Sequence, residues 1–192
     1  MSEQYYDENF ESFISDTINV DMEEHYRKFL SRLTDGASIL DAGCGSGRDS
    51  LAFKNLGYKV IAFDASSAMV EATKSLAEVP AYQTTFQSAK FETLFNGIWA
   101  CASLLHVPRQ ELSKAFENLA AHLKNDGIIY ASFKYGVNER QKGDRYFNDL
   151  NEDSLKEHIN CVSSLEILEH WTSPDQRVGR SDERWLNCLL KN

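Results

Sequence analysis

The feature that most restricts this chain is the run Ile39-Leu40-Asp41-Ala42-Gly43-Cys44-Gly45-Ser46-Gly47-Arg48. Ser38–Ala42 reads as a short apolar strand, and the pattern after the glycines predicts a helix through about Leu56, stopped by Gly57. Lys59–Asp64 reads as the next strand. A strand–loop–helix–strand order implies parallel strands, and open α/β sheets bind ligands where the carboxyl end of a strand turns into the following helix. Glycines there lack Cβ, so backbone N–H groups can approach a ligand. Asp64, closing the second strand, sets a carboxylate where it can accept both ribose hydroxyls of a nucleoside lying across the sheet edge. A tight connection is the plain alternative for any glycine-rich turn. Strand, loop, helix and acid together favour a nucleoside cofactor.

The spacing of the loop narrows the cofactor. A dinucleotide fingerprint requires its third glycine at position 48, where the helix N-terminus meets pyrophosphate. Position 48 is Arg, and the pattern is G-x-G-x-G. The Gly-Lys-Ser/Thr ending of a P-loop is absent as well. Asp41, ahead of the glycines, repels a pyrophosphate but suits the ammonium of an amino-acid tail, and Arg48 can pair with the carboxylate of that tail. Adenosine joined to an amino acid is S-adenosylmethionine.

The rest of the chain continues the alternation. Phe10, Phe13 and Ile14, then Met22, Tyr26, Phe29, Leu30 and Leu33, fall at helical spacing. Ser66 is a candidate N-cap for a helix over Ala68–Leu76, a weaker strand is expected near Tyr82–Phe86, and Gly97–Ser103 reads as a buried strand. Pro108 suits the first turn of the next helix, and Gly127–Lys134 is a further strand. Asn151–Ile159 reads as a capped helix, with strands over Leu165–Trp171 and Trp185–Leu190. Gly136–Asp149 and Thr172–Asp182 are expected as long polar loops. A parallel sheet covered by helices on both faces follows, with a hairpin at the end adding an antiparallel strand.

These residues resemble the class I S-adenosylmethionine-dependent methyltransferases, most nearly the small bacterial tellurite-resistance and small-molecule kind. The resemblance implies a three-layer Rossmann-like α/β fold, with a mostly parallel seven-stranded sheet and a C-terminal antiparallel strand. One domain over residues 1–192 is expected, its N-terminal helical segment (about 1–35) capping the cofactor site. Carried onto this sequence, Asp41, Gly43, Gly45, Gly47 and Arg48 hold the methionine part and Asp64 the ribose. Ala65 and Met69 lie at the adenine, Gln87 falls where the adenine edge is read, and backbone at Ala102 and Ser103 touches the cofactor. Gln87 stands where relatives often have an acid.

Methyl transfer is an in-line displacement on a cationic donor, so alignment and desolvation suffice and a base helps only a protonated acceptor. His106 is the candidate catalytic base, with a loop-fixing role as its alternative. His25, His122, His158 and His170 read as surface or structural, and no metal is expected. Tyr5, Tyr6 and Thr17 are placed to contribute polar groups from the N-terminal segment, with burial of the rings against the domain as the alternative, favoured for Tyr5. The acceptor side is assigned to Lys134–Phe147 and to Trp171, Arg177, Arg180, Glu183 and Trp185, whose arginines and aromatics suit an anionic or planar small molecule.

Composition sets the bounds of that reading. Apolar residues make up 42% and charged residues 26%, near globular averages, and the net charge of −9 argues against a broad nucleic-acid surface. The four cysteines form no C-x-x-C pair, and neither a signal peptide nor a spanning run is evident. A reduced, cytoplasmic monomer or homodimer acting on a small acceptor is expected. RNA or protein methylation, a non-catalytic S-adenosylmethionine-binding module, and a nicotinamide oxidoreductase are the competing readings.

Overall fold

The computed structural model describes residues 2–177, 179–180 and 182–192. Three short helices lead the chain: α1 (Ser2–Glu8), α2 (Phe10–Thr17) and α3 (Glu23–Leu30). The alternating part then runs β1 (Ser38–Ala42), α4 (Arg48–Asn55), β2 (Lys59–Asp64), α5 (Ser67–Ala77), β3 (Ala81–Gln83), β4 (Phe95–Ala100), a 3-10 turn at Leu104–His106, α6 (Arg109–Ala120) and β5 (Leu123–Lys134). It closes with β6 (Glu139–Lys142), β7 (Arg145–Asn148), α7 (Glu152–Asn160), β8 (Glu166–Pro174) and β9 (Arg184–Lys191).

The main sheet has seven strands in the order β3-β2-β1-β4-β5-β9-β8. Pairing is parallel from β3 through to β5, and β9 runs antiparallel to both β5 and β8. Strand order reverses between β1 and β4, which creates the crevice where doubly wound sheets bind ligands. Both faces are buried, so consecutive side chains of one strand enter different cores. Leu40, Ala42, Ile98, Ala100, Ile129 and Ala131 pack in one core with α6 and α7. Their neighbours Ile39, Trp99, Ile128 and Tyr130 pack in the other, with Phe29 of α3 and Phe53 of α4. Trp99 stacks on Tyr130 with ring centroids 3.9 Å apart, tying β4 to β5 beneath α3.

Local signals place the helix starts. Ser66 accepts a hydrogen bond from the Met69 amide, as expected of an N-cap. Asn151 and Ser154 cap α7 reciprocally. Four expectations need correction. The Tyr82–Phe86 strand shrinks to Ala81–Gln83, and Phe86 turns into the core instead. The Gly97–Ser103 strand ends at Ala100, because Ala102 takes a positive φ of 51°. The expected loop Gly136–Asp149 contains the β6–β7 hairpin, whose Gly143-Asp144 turn has Gly143 at φ 60°. The second expected loop, Thr172–Asp182, begins as the end of β8, and its Val178 and Ser181 lie outside the described residues.

Candidate active site at the carboxyl edge of the sheet

A cavity of about 500 Å³ opens above the β1–β4 switch point, within the range that holds small molecules and cofactors. Gly43, Cys44, Gly45, Asp64, Ala65, Met69 and Gln87 line one side of it. Ala102, Ser103 and His106 lie over the end of β4, and Arg145, Tyr146, Phe147 and Trp185 form the far wall.

The loop is held open by its own chain. The Asp64 carboxylate accepts the Gly45 amide on Oδ2 and the Ser66 amide on Oδ1, both at 2.9 Å. Each oxygen keeps a further acceptor position for a ligand hydroxyl. Burial pushes its pKa above the usual carboxylate range, against those two backbone donors. Ser103 Oγ donates to the Ala42 carbonyl at 2.7 Å, pinning the end of β4 to β1. A Cβ on Gly43 would stand 2.3 Å from Ser103 Cβ, so only glycine permits this approach. The Ala102 amide donates to Ser132 Oγ at 2.8 Å. Met69 is buried beneath the cavity, and Gln87 is exposed at its rim with its amide on Glu111. Gly47 packs on Thr73 and does not reach the cavity wall.

Two expectations about the charged residues change. Asp41, assigned to an ammonium, lies behind the loop, 2% exposed, with Ser50 Oγ donating to its carboxylate. Burial, and then the nearby Asp49 charge, push its pKa well up. The acid at the cavity wall is Asp49, from the first turn of α4. Arg48, assigned to a ligand carboxylate, instead grips Asp49 through Nε (2.6 Å) and Nη2 (3.0 Å) and the Thr17 carbonyl through Nη1 (3.0 Å). Burial opposes the Asp49 charge, but Arg48, Tyr26 and Trp99 outweigh it and hold that pKa low.

The histidines separate. His122 fixes the segment before β4, bonding the Phe91 amide and the Asn118 carbonyl. His25, read as surface or structural, is buried, stacks on Trp171 and lines the cavity, with Nδ1 unpartnered. His106 is gripped at both ring nitrogens: Nδ1 lies 2.7 Å from the Tyr146 carbonyl and Nε2 lies 2.8 Å from the Tyr6 hydroxyl. The carbonyl can only accept, so Nδ1 carries the hydrogen and Nε2 receives the tyrosine O–H. Burial drives the His106 pKa down to about 4 and that of Tyr6 up to about 12.

Sequence reasoning had Tyr6 near the ligand but missed its bond to His106, a pairing across 100 positions that no local pattern announces. Tyr6 reaches the cavity because α1 is moored on both sides. Asp7 accepts from Ser66 Oγ (2.6 Å) and the Ala68 amide (3.1 Å) at the start of α5, while the Arg145 guanidinium sits 4.5 Å over the Tyr5 ring. Thr17 lines the cavity, but its hydroxyl bonds the Phe13 carbonyl of its own helix.

The sequence pattern of the family described as methyltransferase domain matches residues 39–127, from β1 to the turn inside β5. An uncharacterized methyltransferase of Staphylococcus carnosus (strain TM300) is 26% identical over 191 residues, 91% of this chain and 92% of that protein. The cypemycin N-terminal methyltransferase of a Streptomyces species is 29% identical over 104 residues, 52% of this chain, and the chain spans only 42% of its length. Among solved structures, the 1,6-didemethyltoxoflavin-N1-methyltransferase of Burkholderia thailandensis superposes with a TM-score of 0.78 at 18% identity, over 98% of this chain and 84% of its own. That likeness shows the fold. The methyltransferase-domain pattern thus covers the glycine loop and the chain from β1 into β5, and the seven-stranded order around it is the Rossmann-like methyltransferase fold.

Proposed function

We propose that this protein transfers the methyl group of S-adenosylmethionine to a small, negatively charged acceptor bound between the 3-10 turn and the β6–β7 hairpin. The observation that carries this reading is the charge balance of the far wall. Lys134 pairs with Asp175 and Glu183, Arg177 with Asp175, and Arg140 with Asp149. Arg145 and Arg180 also line the cavity, and neither enters an ion pair among the described residues. Cations left without acids on a shared cavity wall attract an anion.

The loop residues supply the cofactor end. Asp64 takes the ribose hydroxyls, Ala65 and Met69 flank the adenine, and the Gly43–Gly45 backbone with Ala102 and Ser103 borders the amino-acid tail. Asp49, held ionised by Arg48, is the carboxylate for the ammonium, in place of Asp41. The bound cofactor supplies an electrophilic methyl on a sulfonium. Helices α1 and α2 cover this site and exclude water, which strengthens every electrostatic contact beneath them.

His106 acts through Tyr6, because the hydroxyl occupies the basic nitrogen. The sulfonium methyl would pass to the acceptor oxygen or nitrogen, with the carbon–sulfur electron pair left on sulfur. The acceptor proton moves to the Tyr6 oxygen while the Tyr6 proton moves to His106 Nε2. A depressed imidazolium pKa then favours release of that proton to water. The test is charge reversal: Arg145→Glu and Arg180→Glu should each raise the acceptor KM at least tenfold, about 1.4 kcal/mol, with affinity for S-adenosylhomocysteine unchanged. Unchanged acceptor kinetics would remove the anionic reading.

A further inference from the structure

The cation and the proton-accepting pair are not separate stations on the wall. Arg145 and Tyr6 line the same cavity, with the guanidinium over the Tyr5 ring that abuts Tyr6, and the Tyr6 hydroxyl bonds His106. The guanidinium faces the Tyr5 ring at 4.5 Å and the Phe147 ring at 5.3 Å. Its Nε is buried without a hydrogen-bond partner. With its faces against rings, a guanidinium has its N–H edge left for a planar anion, which it grips best with two parallel bonds. Tyr6, already donating to His106, can only accept a further hydrogen, so it suits a hydroxyl or amine and disfavours a second carboxylate.

We propose that Arg145 and Tyr6 form one acceptor subsite selecting a compact, planar acid whose nucleophilic hydroxyl or amine lies beside its carboxylate. This rests on the anionic-acceptor reading above and adds a distance to it. An anion on Arg145 leaves atoms two or three bonds away nearest the Tyr6 oxygen, since the guanidinium lies over Tyr5, whose ring abuts that of Tyr6. An acid with its hydroxyl across a ring would have to leave one partner to meet the other. The apolar walls from Phe147 and Leu105 accommodate a ring beyond that shared corner.

The test uses binding of known probes to the S-adenosylhomocysteine complex of the whole chain, measured by calorimetry. The probes are 2-hydroxybenzoate, 4-hydroxybenzoate, benzoate and 2-hydroxybenzamide. A charge-assisted bond is worth about 1.5–3 kcal/mol and a neutral one about 0.5–1.5, and each 1.4 kcal/mol is tenfold. The wild type should therefore bind 2-hydroxybenzoate about twofold to tenfold tighter than 4-hydroxybenzoate and about tenfold or more tighter than 2-hydroxybenzamide. Arg145→Gln should reduce both preferences to about twofold or less, and Tyr6→Phe should remove the advantage of 2-hydroxybenzoate over benzoate while leaving benzoate affinity within twofold. The wild-type isomer series stands without any variant. Equal binding of the two hydroxybenzoates, no binding of 2-hydroxybenzoate, or a preference that survives Arg145→Gln overturns the proposal. If the carboxylates share a clear advantage over the amide regardless of isomer, the anionic reading stands and only the adjacency falls. If the amide binds as well as the acids, both fall.

Discussion

Replacing Asp64 by asparagine probes the cofactor end with the least disturbance of shape. The native carboxylate accepts one backbone amide on each oxygen, from Gly45 and Ser66, and on this account accepts one ribose hydroxyl on each as well. Asparagine keeps one carbonyl oxygen and turns an amide donor toward a backbone N–H, so one side of the arrangement loses its acceptor. A hydrogen bond to a charged acceptor contributes about 1.5–3 kcal/mol. Affinity for S-adenosylhomocysteine should therefore fall by about tenfold to a hundredfold, and by at least tenfold in Asp64→Ala. The assay is isothermal titration across pH. Because burial raises the Asp64 pKa, the ionised acceptor is lost as pH falls through a value above the ordinary carboxylate range. Wild-type affinity should weaken on that acid side, and the Asp64 contribution to that slope should vanish in Asp64→Asn. An asparagine variant that binds within twofold of wild type, with the same pH profile, would refute the reasoning.

Two further substitutions test how the site is held. Gly43→Ala combines a φ of 79° with a Cβ 2.3 Å from Ser103 Cβ, so about 1–2 kcal/mol of left-handed strain adds to about 1–3 of overpacking. Thermal unfolding should drop by at least about 4 °C at this chain length, and a shift under one degree would contradict the clash. Arg48→Leu strands the mostly buried Asp49 charge, and removing one partner of such a pair costs about 3–5 kcal/mol. The lower end is expected, because Tyr26 and Trp99 still donate to Asp49. Urea denaturation reads the change directly, and a loss below about 1 kcal/mol would show that the pair is not structural.

The glycine loop, the acid closing β2 and the alternation of strands and helices were legible because each rests on local signals: apolar runs, turn residues and an acid at a strand end. Ser66 and Asn151 announced their helices for the same reason. What escaped depends on which way a side chain faces after folding. Asp41 and Asp49 both look like acids near the loop, yet only the residue one turn into α4 reaches the cavity, and its neighbour Arg48 is spent on holding it. The β6–β7 hairpin was hidden by strands of charged residues without alternation, although Gly143-Asp144 is a two-residue turn that could have been read. His25 escaped because its burial depends on Trp171 from β8.

A crystal structure with S-adenosylhomocysteine bound tests the central claim most directly. The account predicts both ribose hydroxyls within about 3 Å of the Asp64 carboxylate, adenine against Met69, and the sulfur turned toward Tyr6 and His106. A nucleoside bound elsewhere, or one whose ribose faces away from Asp64, would contradict it.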